Sequence, residues 1–159
     1  MLIIFEIRVI YFFFVWIFFS SQVFGQETNP IYHEIDSLIS TKDLINGIMA
    51  KTILKEKLIN DTAKGDYWTK YSLACINSHD YTEALGAINK TIALDNNNHS
   101  AYFVKGKINN ILGNLKESEI DFSNAIEIQS NGEYYYWRGI IQQQLVEKEK
   151  AQDDYQSAI

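Results

Sequence analysis

One pattern of small and large residues recurs three times between Gly65 and Ile159, first after 34 residues and then after 33. The matching positions keep their size from copy to copy, so the same surfaces must meet in each. The corresponding sets are Trp68/Tyr102/Tyr135, Ser72/Gly106/Gly139, Ala84/Ser118/Ala151, Ile88/Phe122/Tyr155 and Thr91/Ala125/Ala158. A unit this short cannot bury its apolar face alone, and stacking on its neighbours builds a continuous core. The period therefore predicts a stack of helix-turn-helix units.

The helix boundaries can be predicted within each unit. The first helices are expected over 67–78, 100–112 and 134–145, and the second over 81–94, 115–128 and 148–159. Asp80 with Glu83, and Asn114 with Glu117, have the spacing of capping boxes at the start of second helices. The chain has a single proline in 159 residues, which agrees with an all-α fold.

These units resemble the tetratricopeptide repeat (TPR), whose pattern is an aromatic, Leu-Gly, Tyr, Ala, an aromatic, Ala and Pro. The segment YYWRGIIQQQLVEKEKAQDDYQSAI matches it best, with Arg138-Gly139 in place of Leu-Gly. Lys105 stands where Leu is usual, and Asn109 and Gln142 stand where Tyr is usual. The resemblance implies an all-α, TPR-type solenoid, a right-handed superhelix of about three clear repeats plus an N-terminal helical hairpin. The repeats are assigned to residues 65–98, 99–131 and 132–159.

Residues 26–64 are predicted to form a leader and a helical hairpin, with helices over 31–40 and 41–60 and Thr41 as the second N-cap. Ala50 and Leu54 lie 34 residues before Ala84 and Ile88, so the hairpin is a candidate degenerate repeat. Its more general role is to cover the apolar side of the first clear repeat, as the ends of solenoids require.

At the other end, Ile159 is predicted to lie within the last helix, with no polar capping helix after it. The outer face of the third repeat would then be partly bare at Ile140, Ile141, Tyr155 and Ile159. A longer chain, a second copy or another protein could cover this face, and the sequence leaves these alternatives open.

Residues 1–25 have the layout of a secretory signal peptide, with Arg8 near the start and an unbroken apolar run over 9–19. Cleavage is expected after Gly25, which would make the protein exported, either periplasmic or secreted, and a bacterial source is suspected. The alternative is an uncleaved membrane anchor, although about 20 apolar residues are needed to span a bilayer.

Charge and polar residues exclude several function classes. The formal net charge is −6, from 14 basic and 20 acidic residues, and no basic cluster is present, so nucleic acid is not an expected partner. His33, His79 and His99 lack metal-ligand spacing, and the latter two are expected to be solvated turn residues. Cys75 is the single cysteine and is expected to be buried and inert; an intermolecular disulfide would require its exposure. No metal, cofactor or enzymatic activity is expected.

In the TPR family the first helices line a concave groove, and carrying those positions over gives four candidates in each repeat. They are Thr69, Leu73, Ile76, Asn77, Phe103, Lys107, Asn110, Ile111, Tyr136, Ile140, Gln143 and Gln144. Phe103 and Tyr136 are the expected aromatic anchors. The alternative is that several of these side chains are core residues of a loosely matched repeat. Thr69 and Leu73 occupy two positions of the family's clamp for C-terminal carboxylates, so that clamp is not expected here.

The resemblance implies a non-catalytic module that binds a peptide or helix of a partner protein in its groove. The main alternative is the N-terminal sensor region of a longer TPR-containing signalling protein, such as a sensor kinase. A third hypothesis is a homodimer formed through the outer face of the third repeat.

Overall fold

The computed structural model describes residues 30–58 and 65–159, and these residues form eight α-helices and no β-strand. The chain divides into two compact units, Met1–Glu34 and Ile35–Ile159. Only residues 30–34 of the first unit are described, at the beginning of a helix. The predicted signal peptide, residues 1–25, lies outside the described residues.

The helices follow one another with short turns inside each repeat. In chain order they are α1 (Pro30–Ser40), α2 (Leu44–Leu58), α3 (Gly65–Asn77), α4 (Tyr81–Leu94), α5 (His99–Ile111), α6 (Leu115–Ile128), α7 (Gly132–Gln144) and α8 (Lys148–Ser157). The prediction of an all-α TPR-type solenoid is confirmed, and α4 and α6 have the predicted boundaries. The prediction that Ile159 lies inside the last helix is wrong, because α8 ends at Ser157 and Ala158 is its C-cap.

The two helices of each repeat meet where a small residue faces a large one. A Cβ atom placed on Gly106 would lie 2.8 Å from the ring of Phe122, and one on Gly139 would lie 2.8 Å from the ring of Tyr155. The first repeat has Ser72 and Ile88 at these two positions, and both are fully buried. The larger Ser72 side chain is thus matched by a smaller partner, and the total volume changes little.

The turn between the two helices has the same backbone geometry in each repeat. His79, Gly113 and Val146 have φ values of 63°, 79° and 67°, in the left-handed region. The next amide, that of Asp80, Asn114 or Glu147, donates to the carbonyl oxygen five residues earlier, at 2.8, 2.9 and 2.8 Å. These are Schellman turns, which satisfy carbonyls that the helix end leaves free.

The predicted capping boxes do not form in the described helices. Neither Asp80 nor Asn114 makes a side-chain capping hydrogen bond. Asp80 pairs instead with Lys51 and accepts from the Ser78 hydroxyl. The reason is geometric: both residues already end a Schellman turn, which fixes their backbone before the next helix begins.

Asparagine provides the side-chain caps at the start of α5 and α7. Asn98 Oδ1 accepts from the Ala101 amide at 3.0 Å, and Asn131 Oδ1 accepts from the Glu133 amide at 2.8 Å. These two residues immediately precede the second and third repeats, so a short polar side chain sets the start of each of these repeats.

In the second repeat and again in the third, a buried charge pair joins the two helices of the repeat. Lys105 Nζ lies 3.1 Å from the Asp121 carboxylate, which also accepts from Asn109 at 2.7 Å. Arg138 binds Asp154 through two hydrogen bonds of 2.7 Å each. The departures from the usual TPR pattern at the two basic positions are therefore matched by carboxylates 16 residues later. Paired charges of this kind tolerate burial that a single charge does not.

Aromatic rings join the second repeat to the third. Phe103 stacks on Tyr134 with ring centroids 4.6 Å apart, and Phe122 stacks on Trp137 at 6.4 Å. His99 Nδ1 lies 2.7 Å from the Tyr134 hydroxyl. The prediction that His99 is a solvated turn residue is therefore wrong: it is the first residue of α5 and is half-buried at this interface.

The hairpin before the repeats packs on the first of them. Ala50 and Leu54 are fully buried, and Gly47 lies so close to Asn77 that an added Cβ would be 2.7 Å from it. Thr41 is not the N-cap of α2; its hydroxyl donates to the Leu38 carbonyl.

The N-cap of α2 is Asp43, whose Oδ1 accepts from the Asn46 amide at 2.9 Å. The turn between α1 and α2 is thereby held by hydrogen bonds on both sides of Lys42, whose own φ of 54° is left-handed.

Candidate protein-binding groove

A cleft of about 310 Å³ opens on the surface that α3 and α5 share, next to the end of α1. Its lining is mainly aliphatic, with lysine and amide groups at the edge. The lining residues are Ile39, Ser40, Lys42, Leu73, Ile76, Asn77, Val104, Lys107 and Ile111. Five of these are predicted groove residues: Leu73, Ile76, Asn77, Lys107 and Ile111.

The end of α1 closes one side of this cleft. Asn77 Nδ2 donates to the Ile39 carbonyl at 2.8 Å, and this bond ties α3 to α1. Ile39 and Ser40, in the last turn of α1, and Lys42, in the turn that follows, complete the lining. The hairpin therefore contributes directly to the groove as well as covering the first repeat.

The electrostatic character of the cleft is positive, in a chain with an overall charge of −6. Lys42 and Lys107 are its charged lining residues, and none of the described lining residues is acidic. The ammonium of Lys107 lies 5.3 Å from the ring centroid of Phe103 and 5.4 Å from that of Trp137. Aromatic faces at this distance attract a cation and hold it in place.

The remaining first- and second-repeat candidates lie outside this cleft. The Thr69 and Thr91 hydroxyls are 3.3 Å apart, so Thr69 is engaged within its own repeat. Phe103 is half-buried because its ring packs on Phe122 and Tyr134. Asn110 is half-buried on α5.

The third-repeat candidates are more exposed and more polar. Gln143 and Gln144 are exposed, and Gln143 Oε1 accepts from the Tyr155 hydroxyl at 3.1 Å. Ile140 is half-buried, and Tyr136 has 51% of its surface exposed. The structure thus brings together candidates from the first two repeats and separates them from those of the third.

Tyr136 lines a second, more open cleft of about 610 Å³ at the end of the third repeat. Its other lining residues are Gly132, Glu133, Tyr155, Ala158 and Ile159. The expectation that this end is bare holds for Ile159, which is fully exposed, and in part for half-buried Tyr155 and Ile140. It is wrong for Ile141, which is fully buried at the position that Ile108 occupies in the second repeat.

Sequence reasoning missed four lining residues of the first cleft. Val104 lies beside the predicted Phe103 on α5, and its side chain reaches the cleft although the family pattern does not mark that position. Ile39, Ser40 and Lys42 were missed because the hairpin matches the repeat at only two positions. The 34-residue offset supplied a usable signal, since it places 39 and 42 level with Leu73 and Ile76.

The other reactive side chains do not line either of these two clefts. Cys75 is fully buried, as predicted, and burial raises the pKa of its thiol to about 12. His79 is exposed in its turn and stacks on Tyr81, and His33 is exposed on α1. In the described part of the chain, no three His, Cys, Asp or Glu side chains are grouped closely enough to hold a metal ion.

Comparison with known proteins identifies one tetratricopeptide repeat and shows the same type of fold. The family model of the tetratricopeptide repeat matches residues 99–131. A crystal structure of MamA is similar, with a TM-score of 0.71 and 17% identity over 87% of this chain and 81% of that chain. MamA from Desulfovibrio magneticus has a TM-score of 0.71 and 18% identity over 84% of this chain and 75% of its own. The Arabidopsis OM64 TPR domain has a TM-score of 0.57 and 21% identity over 59% and 78%.

At these identities the likeness concerns the fold. Among curated protein sequences, none is significantly similar to this chain. None of the helices within residues 30–58 and 65–159 has the length and apolar character needed to cross a bilayer. The family-model match and the likeness to solved structures show that the chain contains a tetratricopeptide repeat and folds as a TPR-type solenoid. This architecture is typical of protein-interaction modules.

Proposed function

We propose that this chain is a non-catalytic interaction module that binds a peptide or helix of a partner protein in its groove, at the cleft between α1, α3 and α5. The observation that carries the proposal is the set of aliphatic side chains that meet there, with Leu73 and Ile76 from one helix and Val104 and Ile111 from another. Concave apolar surfaces with a few polar groups are the usual form of binding sites.

The cleft is preformed, which favours binding. Asn77 is fixed by its bond to the Ile39 carbonyl, and Lys107 is held over two aromatic rings. Side chains that are already ordered lose little conformational entropy when a partner docks. An apolar side chain of the partner would therefore bind at a low entropic cost.

Two polar substitutions at the cleft test this proposal: Ile76→Gln and Ile111→Asn. The same positions in other repeats carry Gln143 and Asn77, so the fold itself accepts these side chains. A random 12-residue peptide library displayed on phage is selected on the purified full chain, and affinities of the enriched peptides are measured by fluorescence anisotropy. We expect the double variant to bind these peptides at least tenfold more weakly. A tenfold loss corresponds to the free energy of burying about two methylene groups, which the polar side chains no longer provide.

The matched control replaces two exposed aliphatic residues on second helices, Leu94→Asn and Ile120→Gln. These side chains are 52% and 58% exposed and lie outside the cleft. The control should bind as the natural chain does. Enriched peptides that bind both variants and the natural chain equally well would show that the cleft is not the binding site.

The second cleft, at the end of the third repeat, supports a second candidate function, self-association. Tyr136 and Tyr155 lie with ring centroids 6.1 Å apart, at the positions of Phe103 and Phe122, whose centroids are 5.7 Å apart. The phenylalanine pair packs on the next repeat, which suggests that the tyrosine pair could pack on another molecule. Light scattering across a range of concentrations tests this, and a monomer at every concentration would rule it out.

The cellular setting is also part of the proposal. Export, with the protein periplasmic or secreted, rests on the signal-peptide pattern of residues 1–25. The alternative function, the sensor region of a longer signalling protein such as a sensor kinase, would use the same groove to detect its ligand. Amino-terminal sequencing of the purified protein tests the first point, because a chain that begins at residue 26 has been cleaved.

A further inference from the structure

Resting on the groove function proposed above, we infer that the partner segment is an acidic peptide, with a large aliphatic side chain for the cleft and carboxylates beside it for Lys42 and Lys107. The inference concerns the chemistry of the partner, which neither the fold nor the repeat pattern specifies. It depends on two lysines, Lys42 and Lys107, that line the apolar cleft without an acidic residue beside them in its lining.

Several basic side chains of the repeats and hairpin already have acidic partners. Lys51 pairs with Asp80, Lys70 with Asp36, and Lys105 with Asp121. In contrast, neither Lys42 nor Lys107 pairs with a carboxylate within residues 30–58 and 65–159. The two lysines at the cleft are therefore available to a ligand.

The acidic residue that follows Lys42 makes no ion pair with it in the described part of the chain. Both oxygens of Asp43 are used in the turn, since Oδ1 accepts from the Asn46 amide at 2.9 Å and Oδ2 accepts from Asn46 Nδ2 at 2.7 Å. These bonds to Asn46 and Thr41 lower the pKa of the Asp43 carboxyl, so it stays ionised as a cap. Lys42 follows α1 in a left-handed conformation that places it among the cleft residues.

The second lysine is positioned by its neighbours. Lys107 is half-buried, and two aromatic faces lie close to its ammonium. A cation that is fixed and partly shielded from water binds an anion more strongly than a freely moving one does. Phe103, a predicted anchor, would thus act indirectly by positioning this lysine.

The apolar lining of the cleft indicates that the peptide also carries an aliphatic side chain. Ile39, Leu73, Ile76, Val104 and Ile111 enclose about 310 Å³, which is near the lower limit for a small-molecule site and suits one or two side chains. A Leu, Ile or Met side chain gains free energy by leaving water for such a surface. Asp or Glu residues next to it would lie near the two lysines.

The experiment compares acid content among the peptides selected from the 12-residue library. We expect Asp and Glu to be enriched next to a single aliphatic residue, and Gln in place of those acids should weaken binding about tenfold, as for two partly exposed ion pairs. Lys42→Gln with Lys107→Gln should cause a similar loss for the acidic peptide and none for its Gln counterpart. Binding should also weaken as salt rises from about 0.05 to about 0.5 M.

The matched control is Lys116→Gln with Lys148→Gln, which removes two exposed charges outside the cleft and should leave the affinity unchanged. Peptides that require Ile76 and Ile111 but are not enriched in acids would overturn this inference and leave the groove function standing. Peptides indifferent to Ile76 and Ile111 would overturn both. An acidic peptide that binds the Lys42 and Lys107 double variant normally would also overturn the inference.

Discussion

The first and third repeats have the same helix pairing but differ in what joins the two helices. In the third repeat a guanidinium and a carboxylate meet, Arg138 with Asp154, and the carboxylate is almost fully buried. The same positions in the first repeat are Tyr71 and Ala87. Tyr71 donates instead to Glu83 at 2.6 Å, nearer the edge of the repeat.

The groove surfaces of the two repeats differ as well. The first repeat presents Leu73 and Ile76, whereas the third has Ile140 and Gln143 at the same positions. The cleft lies on the first of these surfaces and extends to α1 and α5. The interior chemistry and the residues at the groove positions therefore differ independently between these two repeats, because different faces of each helix carry them.

The largest expected effect comes from breaking the charge pair of the third repeat. Asp154→Ala should cost about 3 kcal/mol, since it leaves Arg138 partly buried without its partner. Arg138→Leu together with Asp154→Ala should cost much less than the sum of the two single changes, because it recreates the uncharged interior of the first repeat. Urea denaturation followed by tryptophan fluorescence measures the three free energies of unfolding.

A useful control for this cycle is Lys150→Gln, which removes the exposed pair between Lys150 and Glu147. It should leave the urea midpoint unchanged. If the losses in unfolding free energy of the two single variants add up to the loss of the double variant, Arg138 and Asp154 do not act as a pair. The third repeat would then not differ from the first in having a stabilising charge pair.

The second prediction concerns the contact between a small and a large residue in each repeat. Gly106→Ser should destabilise the fold by about 2 kcal/mol, because the new side chain would overlap the Phe122 ring. In a Phe122→Ile background the same change should cost far less, since this pair reproduces Ser72 and Ile88. An equal cost in both backgrounds, measured by the same denaturation, would contradict the proposed matching of volumes.

The third prediction concerns the left-handed turn. Val146 is β-branched and has a φ of 67°, whereas glycine occupies the same position in the second repeat. Val146→Gly should stabilise the protein by about 1 kcal/mol, because the strain of the valine exceeds the entropy cost of glycine. The reciprocal change, Gly113→Val, should lower the melting temperature. A lower melting temperature for Val146→Gly would mean that the strain is absent.

The smallest effect is on pH dependence. Burial raises the pKa of the Asp121 carboxyl above its ordinary 3.8, and Lys105 and Asn109 offset this only in part. The folded state then holds the proton more tightly than the unfolded state, so stability should fall as pH rises from 3.8 through the folded pKa. Asp121→Asn should remove this fall in urea midpoints measured from about pH 3.5 to about pH 7.

The first repeat should behave in the opposite way. The hydrogen bond from Tyr71, with a smaller effect of Lys51, lowers the pKa of Glu83 below 4.5. That contribution to stability is present above pH 4.5 and is lost as the pH falls through the folded pKa. Glu83→Gln should therefore reduce the loss of stability as the pH falls below 4.5. If the natural chain and the Glu83→Gln variant lose stability equally with falling pH, Glu83 does not make this contribution.

The sequence predicts the helices well because their boundaries depend on local and repeated features. The spacing of Gly106, Phe122 and their counterparts is enough to place α4 and α6 correctly. The capping boxes failed because Schellman turns take precedence at Asp80 and Asn114. The charge pairs were visible in principle, since Lys105 and Arg138 each precede an aspartate by 16 residues, but an interior contact cannot be distinguished from a surface charge without the fold.

The groove was less predictable than the fold. Family positions led to Leu73, Ile76 and Ile111, but they cannot indicate which repeats combine to form a cleft. That depends on the end of α1, which contributes Ile39 and Lys42. The 34-residue offset places them level with Leu73 and Ile76, but the hairpin matches the repeat at only two positions. The repeat pattern thus marks the hairpin residues, and Val104 within the second repeat, too weakly to predict this cleft.

The most direct test of binding at the cleft between α1, α3 and α5 is to map where a bound peptide lies on the chain. An acidic peptide selected from the library is titrated into the isotopically labelled full chain, and changes in side-chain methyl and backbone amide NMR signals are recorded. We expect changes at Leu73, Ile76, Val104 and Ile111, with little change at Tyr155 or Ile159. Changes confined to the end of the third repeat would contradict binding at this cleft.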